Sequence, residues 1–330
     1  MMISKTPVRI SLGGGGTDLP SYYEKREGFL IAGAINKHVY VSVNEDFFNN
    51  YSLKYSKIER TNNINNIKHN LIRETLKYLN IPSGIEITSL ADIPAGTGMG
   101  SSGAFLISLL NSLKNYNSLR EVEKRELAEE ACKIEIDIMK EHEGKQDKYV
   151  CAFGGIRAYK FHRDGKVSII PLINEDIIKS ELQHNLFLFY TGHIREKTAS
   201  HTLQQQDEKI KKDDSEMMQY MDEIKEIGIE SKKALEDSRF EFYGSLLHRH
   251  WCIKKKYSEK SSNKEINKIY DFALKQGAIG GKMIGAPGGG FLMFYHPGPV
   301  KEHWGFVSAM EDIGMKNIKF KFDMEGVVSL

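Results

Sequence analysis

The chain has 330 residues, room for about two domains, and its 40% hydrophobic and 27% charged residues are those of an ordinary globular protein. A net charge of +2, with no basic block and no basic-aromatic interleaving, gives no case for nucleic acid, and no apolar run approaches the roughly 18 residues that cross a bilayer, so neither nucleic acid nor membrane is an expected partner. The N-terminus carries no apolar signal segment, and the cysteines, Cys132, Cys151 and Cys252, are sparse and unpatterned, which points to a reducing cytoplasm.

In chain order, a strand starts almost at once and runs into a first glycine cluster, Gly13-Gly14-Gly15-Gly16. Val39, Val41 and Val43 alternate with Tyr40 and Ser42, as in a strand. The polar, Asn-rich stretch 44–68 has room for a short hairpin around Tyr51, Leu53 and Tyr55. Leu71 to Leu79 reads as a helix stopped by Pro82. Ile85 and Ile87 mark a strand that leads into a second glycine cluster, Pro94 to Gly103. Phe105, Leu106, Leu109, Leu110 and Leu113 then recur at helical spacing.

A further helix is predicted from about Glu121, with the stripe Leu127, Ala131, Ile134 and Ile138, ended by Gly144. Strands are expected over 156–161 and at Val167 and Ile169, joined by an Asp164-Gly165 turn. Leu186, Leu188 and Tyr190 read as a strand. One long charged helical stretch follows, from about Lys197 to Asp237, then helices around 239–256 and 263–276. Gly290–His296 and Ile318–Phe322 read as strands, the first after a third glycine cluster, Gly285-Ala286-Pro287-Gly288-Gly289-Gly290. The pattern changes near 180–185, so the expected domains are 1–183 and 184–330. The Lys254-Lys255-Lys256 run reads as a solvated helix face. His248, His250 and Cys252 do not make a zinc set, because only His248 and Cys252 share a helical face.

The glycine clusters carry the chemistry. Glycine lets backbone approach a ligand closely, and consecutive free amides at a helix start hold anions. The middle cluster has the order strand, loop, helix, but it lacks the Gly-Lys-Ser/Thr ending of a Walker loop and contains no G-x-G-x-x-G. Pro94, Gly98, Met99, Gly100, Ser101 and Ser102 resemble the Pro-x3-Gly-Leu-Gly-Ser-Ser-Ala signature of the galactokinase, homoserine kinase, mevalonate kinase and phosphomevalonate kinase superfamily, the GHMP kinases. Met99 stands for the usual Leu and Gly103 for the usual Ala, both mild departures. The first and third clusters resemble that superfamily's other two motifs in the right order, so the resemblance covers nearly the whole chain.

This resemblance implies an α+β, two-domain GHMP kinase fold, with an N-terminal domain like domain 2 of ribosomal protein S5 and a ferredoxin-like C-terminal domain. It implies ATP and Mg2+ in the cleft between them. Pro94, Gly96, Gly98, Gly100, Ser101 and Ser102 would cradle the phosphates, with Ser102 and Glu135 as magnesium ligands. Either serine also reads as a plain helix cap.

Galactokinases carry Arg-Val-Asn-Leu-Ile-Gly-Glu-His-Thr-Asp in the first motif, against Arg9-Ile10-Ser11-Leu12-Gly13-Gly14-Gly15-Gly16-Thr17-Asp18 here. Gly15 and Gly16 thus remove two side chains and suggest a roomier or differently recognised acceptor. Gly15, Gly16, Thr17 and Asp18 are the expected sugar contacts, Asp18 as acceptor from two hydroxyls or, alternatively, as a turn residue before Pro20.

Gly144-Lys145-Gln146-Asp147-Lys148 resembles the segment with the catalytic aspartate and lies at the superfamily's spacing from Glu135. Phosphoryl transfer needs a carboxylate to orient and deprotonate the hydroxyl and a cation to offset the moving charge. Asp147 and Arg9 fill these roles. On charge content alone, Glu135 and Asp147 read as solvated helix-end groups, and the motif context reverses that reading. Gly288 and Gly289 of the third motif would close over the substrate.

Within the superfamily the first motif, the Gly144–Tyr149 segment and Gly280-Gly281-Lys282 look like the bacterial D-glycero-D-manno-heptose 7-phosphate kinases. The implied reaction moves the γ-phosphate of ATP to the anomeric hydroxyl of a sugar phosphate, for nucleotide-activated heptose and surface polysaccharide. L-fucokinase-like proteins share much of the first motif, and a catalytically silent sugar sensor is the reading from another class. Arg195 and Lys197, or else Lys25 and Arg26, are candidates for a distal substrate phosphate, against their being solvated surface charges. A homodimer is a possible assembly.

Overall fold

The computed structural model describes residues 1–118, 122–192, 199–257, 264–285 and 289–330. A first, eight-stranded sheet contains β1 (Met2–Gly13), β2 (Gly28–Glu45), β3 (Tyr51–Lys54), β4 (Ile58–Thr61), β5 (Ile85–Ala91), β6 (Ile156–Phe161), β7 (Val167–Pro171) and the closing strand β12 (Val328–Ser329). β2 is its spine. Its second half pairs with β5 and its first half with β6, while β1 runs antiparallel along its other edge. The helices α1 (Pro20–Arg26), α2 (Asn70–Tyr78), α3 (Ser101–Ser118), α4 (Lys124–Cys132), α5 (Gln146–Phe153) and α6 (Glu175–Asn185) intervene. A second, four-stranded antiparallel sheet has the order β11-β8-β10-β9, from β8 (Leu186–Tyr190), β9 (Gly280–Met283), β10 (Phe291–Tyr295) and β11 (Lys316–Asn317). It is joined by α7 (Ala199–Lys211), α8 (Ser215–Glu236), α9 (Phe240–Tyr257), α10 (Lys264–Lys275) and α11 (Val300–Asp312).

Apolar burial ties the parts together. Val8, Ile10 and Leu12 of β1 lie in one core with Met99 of the glycine loop, Leu109 of α3, Ile224 and Ile227 of α8 and Tyr243 of α9. A separate aromatic core, with Trp251, Tyr270, Phe189 and Phe294, fills the space under the second sheet.

Three predicted elements differ from the structure. In the charged stretch predicted over 197–237, residues 199–236 form two helices, because Asp213 takes φ 54° and Asp214 caps α8 by accepting from the Met217 amide at 2.8 Å. Ile318–Phe322 is not a strand. Ile318 N still donates to Leu188 O, but Lys321 N and Phe322 N donate to side chains, of Asn36 and Gln183, as the chain crosses between sheets. The helix predicted to end at Gly144 ends earlier. After α4 it widens into a π-turn, Lys133–Ile138, with Met139 N donating to Ile134 O at 2.9 Å, and Lys140 then takes φ 58°. Residues 139–145 become a loop beside the glycine clusters.

Candidate active site

Strand β1 carries Arg9 to the foot of the middle glycine loop. The Arg9 amide donates to Met99 O at 2.9 Å, which fastens strand to loop, and Nη1 donates to Gly98 O at 2.6 Å. Its other nitrogens meet Asp147: Nε and Nη2 both lie 2.7 Å from Oδ1. Burial works against the Arg9 charge, but Asp147 beside it more than restores it, and the guanidinium is held above its usual value. Asp147 sits in the first turn of α5, which packs against α3 closely enough that a Cβ on Gly103 would fall 2.7 Å from the Asp147 Cβ. The exchange of Ala for Gly103 is therefore not mild: it is what lets the aspartate lie against the loop helix.

The glycine loop needs its glycines. Gly98 takes φ +86°, and a Cβ there would come within 2.4 Å of Ile284 O, just ahead of the third cluster. The loops that follow β5 and β9 meet at this point backbone to backbone. Ser102, in the first turn of α3, donates to Glu135 Oε1 at 2.9 Å. Glu135 is 5% exposed, swung in by the π-turn, and its second oxygen forms an ion pair with Lys148. Lys148 is 1% exposed and also donates to Gly144 O at 3.1 Å. Burial disfavours its charge, but Glu135 and Glu143 overcome this and hold the ammonium above its ordinary value. The Glu143 carboxyl is pushed up, by burial first and then by Glu135 and Asp147, against the opposing pull of Lys148.

The first cluster lies on the other side of Asp147. Asp18 is buried, accepting from Gly16 N at 3.1 Å, Gln146 N at 3.0 Å and Gln146 Nε2 at 2.9 Å. Burial raises its pKa although the Gln146 amide pulls the other way. Gly144 must be glycine here, since a Cβ would overlap Asp18 Oδ2 at 1.9 Å. Asp18 therefore pins the 139–145 loop as well as bordering the cavity.

One cavity of about 1140 Å³ joins these groups. Arg9, Gly15, Gly16, Asp18, Pro94, Gly96, Gly98, Gly100, Ser101, Ser102, Glu135 and Asp147 all line it. That volume exceeds the range usual for one drug-sized ligand, so two substrates fit side by side.

Other expected residues are placed differently or lie outside the described residues. Thr17 does not reach the cavity: it is fully buried, with its hydroxyl on Gly14 O at 2.8 Å and Phe29 O at 3.0 Å, so it braces the loop. Gly289 is not among the lining residues. Gly288, Arg195 and Lys197 lie outside the described residues. Lys25 is drawn to Asp213 at 2.7 Å and Arg26 to Asp222 at 3.2 Å, away from the cavity. The room expected at Gly16 is partly taken: a Cβ there would lie 3.4 Å from Gln206 Nε2 of α7 and from Met221 Cε of α8. Lys254 is not on a solvated face; it is 8% exposed and lines the cavity. His248 shares hydrogen bonds with Tyr270 and Cys252, while His250 turns toward the cavity.

Lys148, Gln206, Lys254 and Lys282 were not assigned to the site from sequence. For Lys254 a signal existed: Tyr243, Leu247, His250, Lys254 and Tyr257 recur at steps of four and three, on one face.

Residues 65–155 match the family model described as GHMP kinases N terminal domain. The chain is 28% identical to D-glycero-alpha-D-manno-heptose 7-phosphate kinase of Campylobacter jejuni, over 99% of this chain and 98% of that one. It is 25% identical to L-fucokinase/L-fucose-1-P guanylyltransferase of Bacteroides fragilis, over 87% of this chain but 34% of that one. The structure aligns along its whole length with a D-glycero-D-manno-heptose 1-phosphate kinase of Bacteroides thetaiotaomicron, at TM-score 0.79 and 23% identity, covering 99% of that chain. Among the described residues no helix is long and apolar enough to cross a membrane. With its glycine loop inside the matched segment, this chain carries a GHMP kinases N-terminal domain over 65–155 and is similar along its whole length, in sequence to a heptose 7-phosphate kinase and in α+β fold to a heptose 1-phosphate kinase.

Proposed function

We propose that the chain is an ATP-dependent sugar kinase acting on the anomeric hydroxyl of a sugar phosphate, D-glycero-D-manno-heptose 7-phosphate being the first candidate. The observation that carries this reading is the Arg9–Asp147 pair, at 2.7 Å, set between the glycine loop and the first cluster in one cavity. Asp147 orients and deprotonates the acceptor hydroxyl. Arg9 already touches both Asp147 and Gly98 O, so it neutralises charge between the base and the phosphate loop. Gly96, Gly98, Gly100 and the start of α3 at Ser101 offer amides to the phosphates. Asp18 and Gln146 face the sugar, with 1–183 and 184–330 as the two domains.

Ser102 and Glu135 present a hydroxyl and a carboxylate oxygen side by side, hard donors that suit Mg2+ held jointly with nucleotide phosphates. The metal would neutralise phosphate charge during transfer. Glu135→Gln is expected to raise the magnesium concentration needed for half-maximal rate, whereas Asp147→Asn leaves that concentration nearly unchanged. A magnesium titration of both variants checks this, and equal responses would undo the division of roles.

The L-fucokinase reading draws on the Bacteroides fragilis relative and on the polar Gln206 at Gly16. A silent sensor is disfavoured by a base in contact with a cation and by a hydroxyl–carboxylate pair that lines the same cavity. ADP release measured with heptoses, hexoses, 6-deoxyhexoses and their phosphates decides among these. Turnover is expected with a phosphorylated heptose, and silence across the panel would favour the sensor.

A further inference from the structure

A cationic patch borders the cavity and belongs to none of the groups assigned above. Lys282 of β9 is 2% exposed, and its ammonium meets the Ser11 hydroxyl at 3.2 Å. Among the described residues it has no carboxylate in ion-pair range. Lys254 of α9 donates to Met283 O at 3.3 Å and Gly285 O at 2.5 Å. His250, one turn earlier on the same helix, is 2% exposed, and its Nδ1 has no partner among the described residues. All three line the cavity.

A buried ammonium beside another cation is costly. Burial first, then Lys254 and Arg9, press Lys282 well below the ordinary lysine value. Burial, then Lys282 and Lys254, do the same to His250. A structural lysine is normally paired. An anion in this part of the cavity would remove the cost.

Its position says which anion. Arg9 faces the glycine loop through Gly98. Ser11 lies two residues further along the same face of β1, roughly 7 Å on. It borders Gly15, whose Cβ would fall 2.6 Å from Ser11 Oγ and 3.7 Å from Gln146 Oε1. Lys282 is therefore on the acceptor side of Arg9, beside the first cluster. We propose that Lys282, with His250 and Lys254 beside it, holds the phosphate that the acceptor sugar already carries. The proposal rests on the sugar-kinase reading and names the substrate class of that site.

The test is calorimetric binding to the full chain without nucleotide, using D-glycero-D-manno-heptose 7-phosphate and the unphosphorylated heptose, in wild type, Lys282→Met and Lys282→Arg. Wild type is expected to prefer the phosphorylated sugar. Lys282→Met should reduce that preference roughly ten- to hundredfold, the worth of one charge-assisted contact, while Lys282→Arg keeps most of it. A melting temperature for Lys282→Met at or above wild type would show that it is folded. ATP binding is measured alongside. Wild type that binds the two sugars equally overturns the proposal. So does a Lys282→Met variant that keeps the preference, or that loses ATP affinity in its place. Tight, Lys282-dependent binding of the phosphorylated sugar with no ADP release would sink the kinase reading and leave the anion site standing.

Discussion

Asp147→Asn is expected to lower kcat by roughly 10²–10⁴, the usual worth of a positioned general base, with ATP affinity nearly unchanged. The substitution keeps the shape of the side chain and an oxygen for Arg9 Nε, which now lies 2.7 Å from Oδ1. It removes the ability to take the acceptor's proton. Asp147 is the first-turn residue of α5 and is 16% exposed at its side chain, so the change is not a core disruption. Steady-state kinetics with saturating ATP, together with nucleotide binding by calorimetry, give the two quantities. A variant that retained more than about a third of the wild-type rate would show that Asp147 is not the base.

The largest stability effect is expected at Lys148. Its ammonium is 1% exposed and answers the charge of Glu135, with Glu143 close by. Lys148→Met fills the space and strands the carboxylate. Removing one partner of a buried ion pair costs about 3–5 kcal/mol. Urea unfolding at neutral pH measures it, and a cost below about 1 kcal/mol would mean that water reaches the pair.

The sign with pH is fixed by Glu143. Its carboxyl is raised in the folded chain, so the folded state binds that proton more tightly than the unfolded state does. This contribution is complete below the ordinary glutamate pKa and is lost as pH rises toward the raised value. Without Lys148 the raising is greater, so the variant's deficit should shrink on acidification. Glu135→Gln in the Lys148→Met background should recover part of the loss.

Much of the fold was legible because its signals are local. The alternation in 39–43, the stripe after Ser102 and the strand at 186–190 follow from short-range periodicity. The tight meeting of Arg9 with Asp147, 138 positions apart, has no local signature; the two were put together by motif resemblance alone. Asp18 shows what a motif leaves out. Its position in the first cluster suggested sugar hydroxyls, yet it also holds the Gln146 amide and demands glycine at 144. Thr17 shows the converse, a motif position whose hydroxyl is spent on Gly14 and Phe29. Lys148 lay inside a segment already singled out, but composition does not distinguish a buried lysine from a solvated one. Burial is decided by α3, α5 and the π-turn converging.

The π-turn has a consequence for length variation in this segment. A turn closed by a bond from Met139 N to Ile134 O holds one residue more than a regular turn. It explains why the stripe Leu127, Ala131, Ile134, Ile138 breaks at its last member, which is 41% exposed. A one-residue deletion between 133 and 138 would restore a regular helix and turn everything beyond it by about 100°. Deleted ahead of Glu135, that residue would carry the carboxylate away from Ser102 and Lys148 even as the helix became more ideal. Insertions and deletions here are thus constrained by aim and not by helix stability, and a relative one residue shorter in this stretch would have to present its acid from a different position.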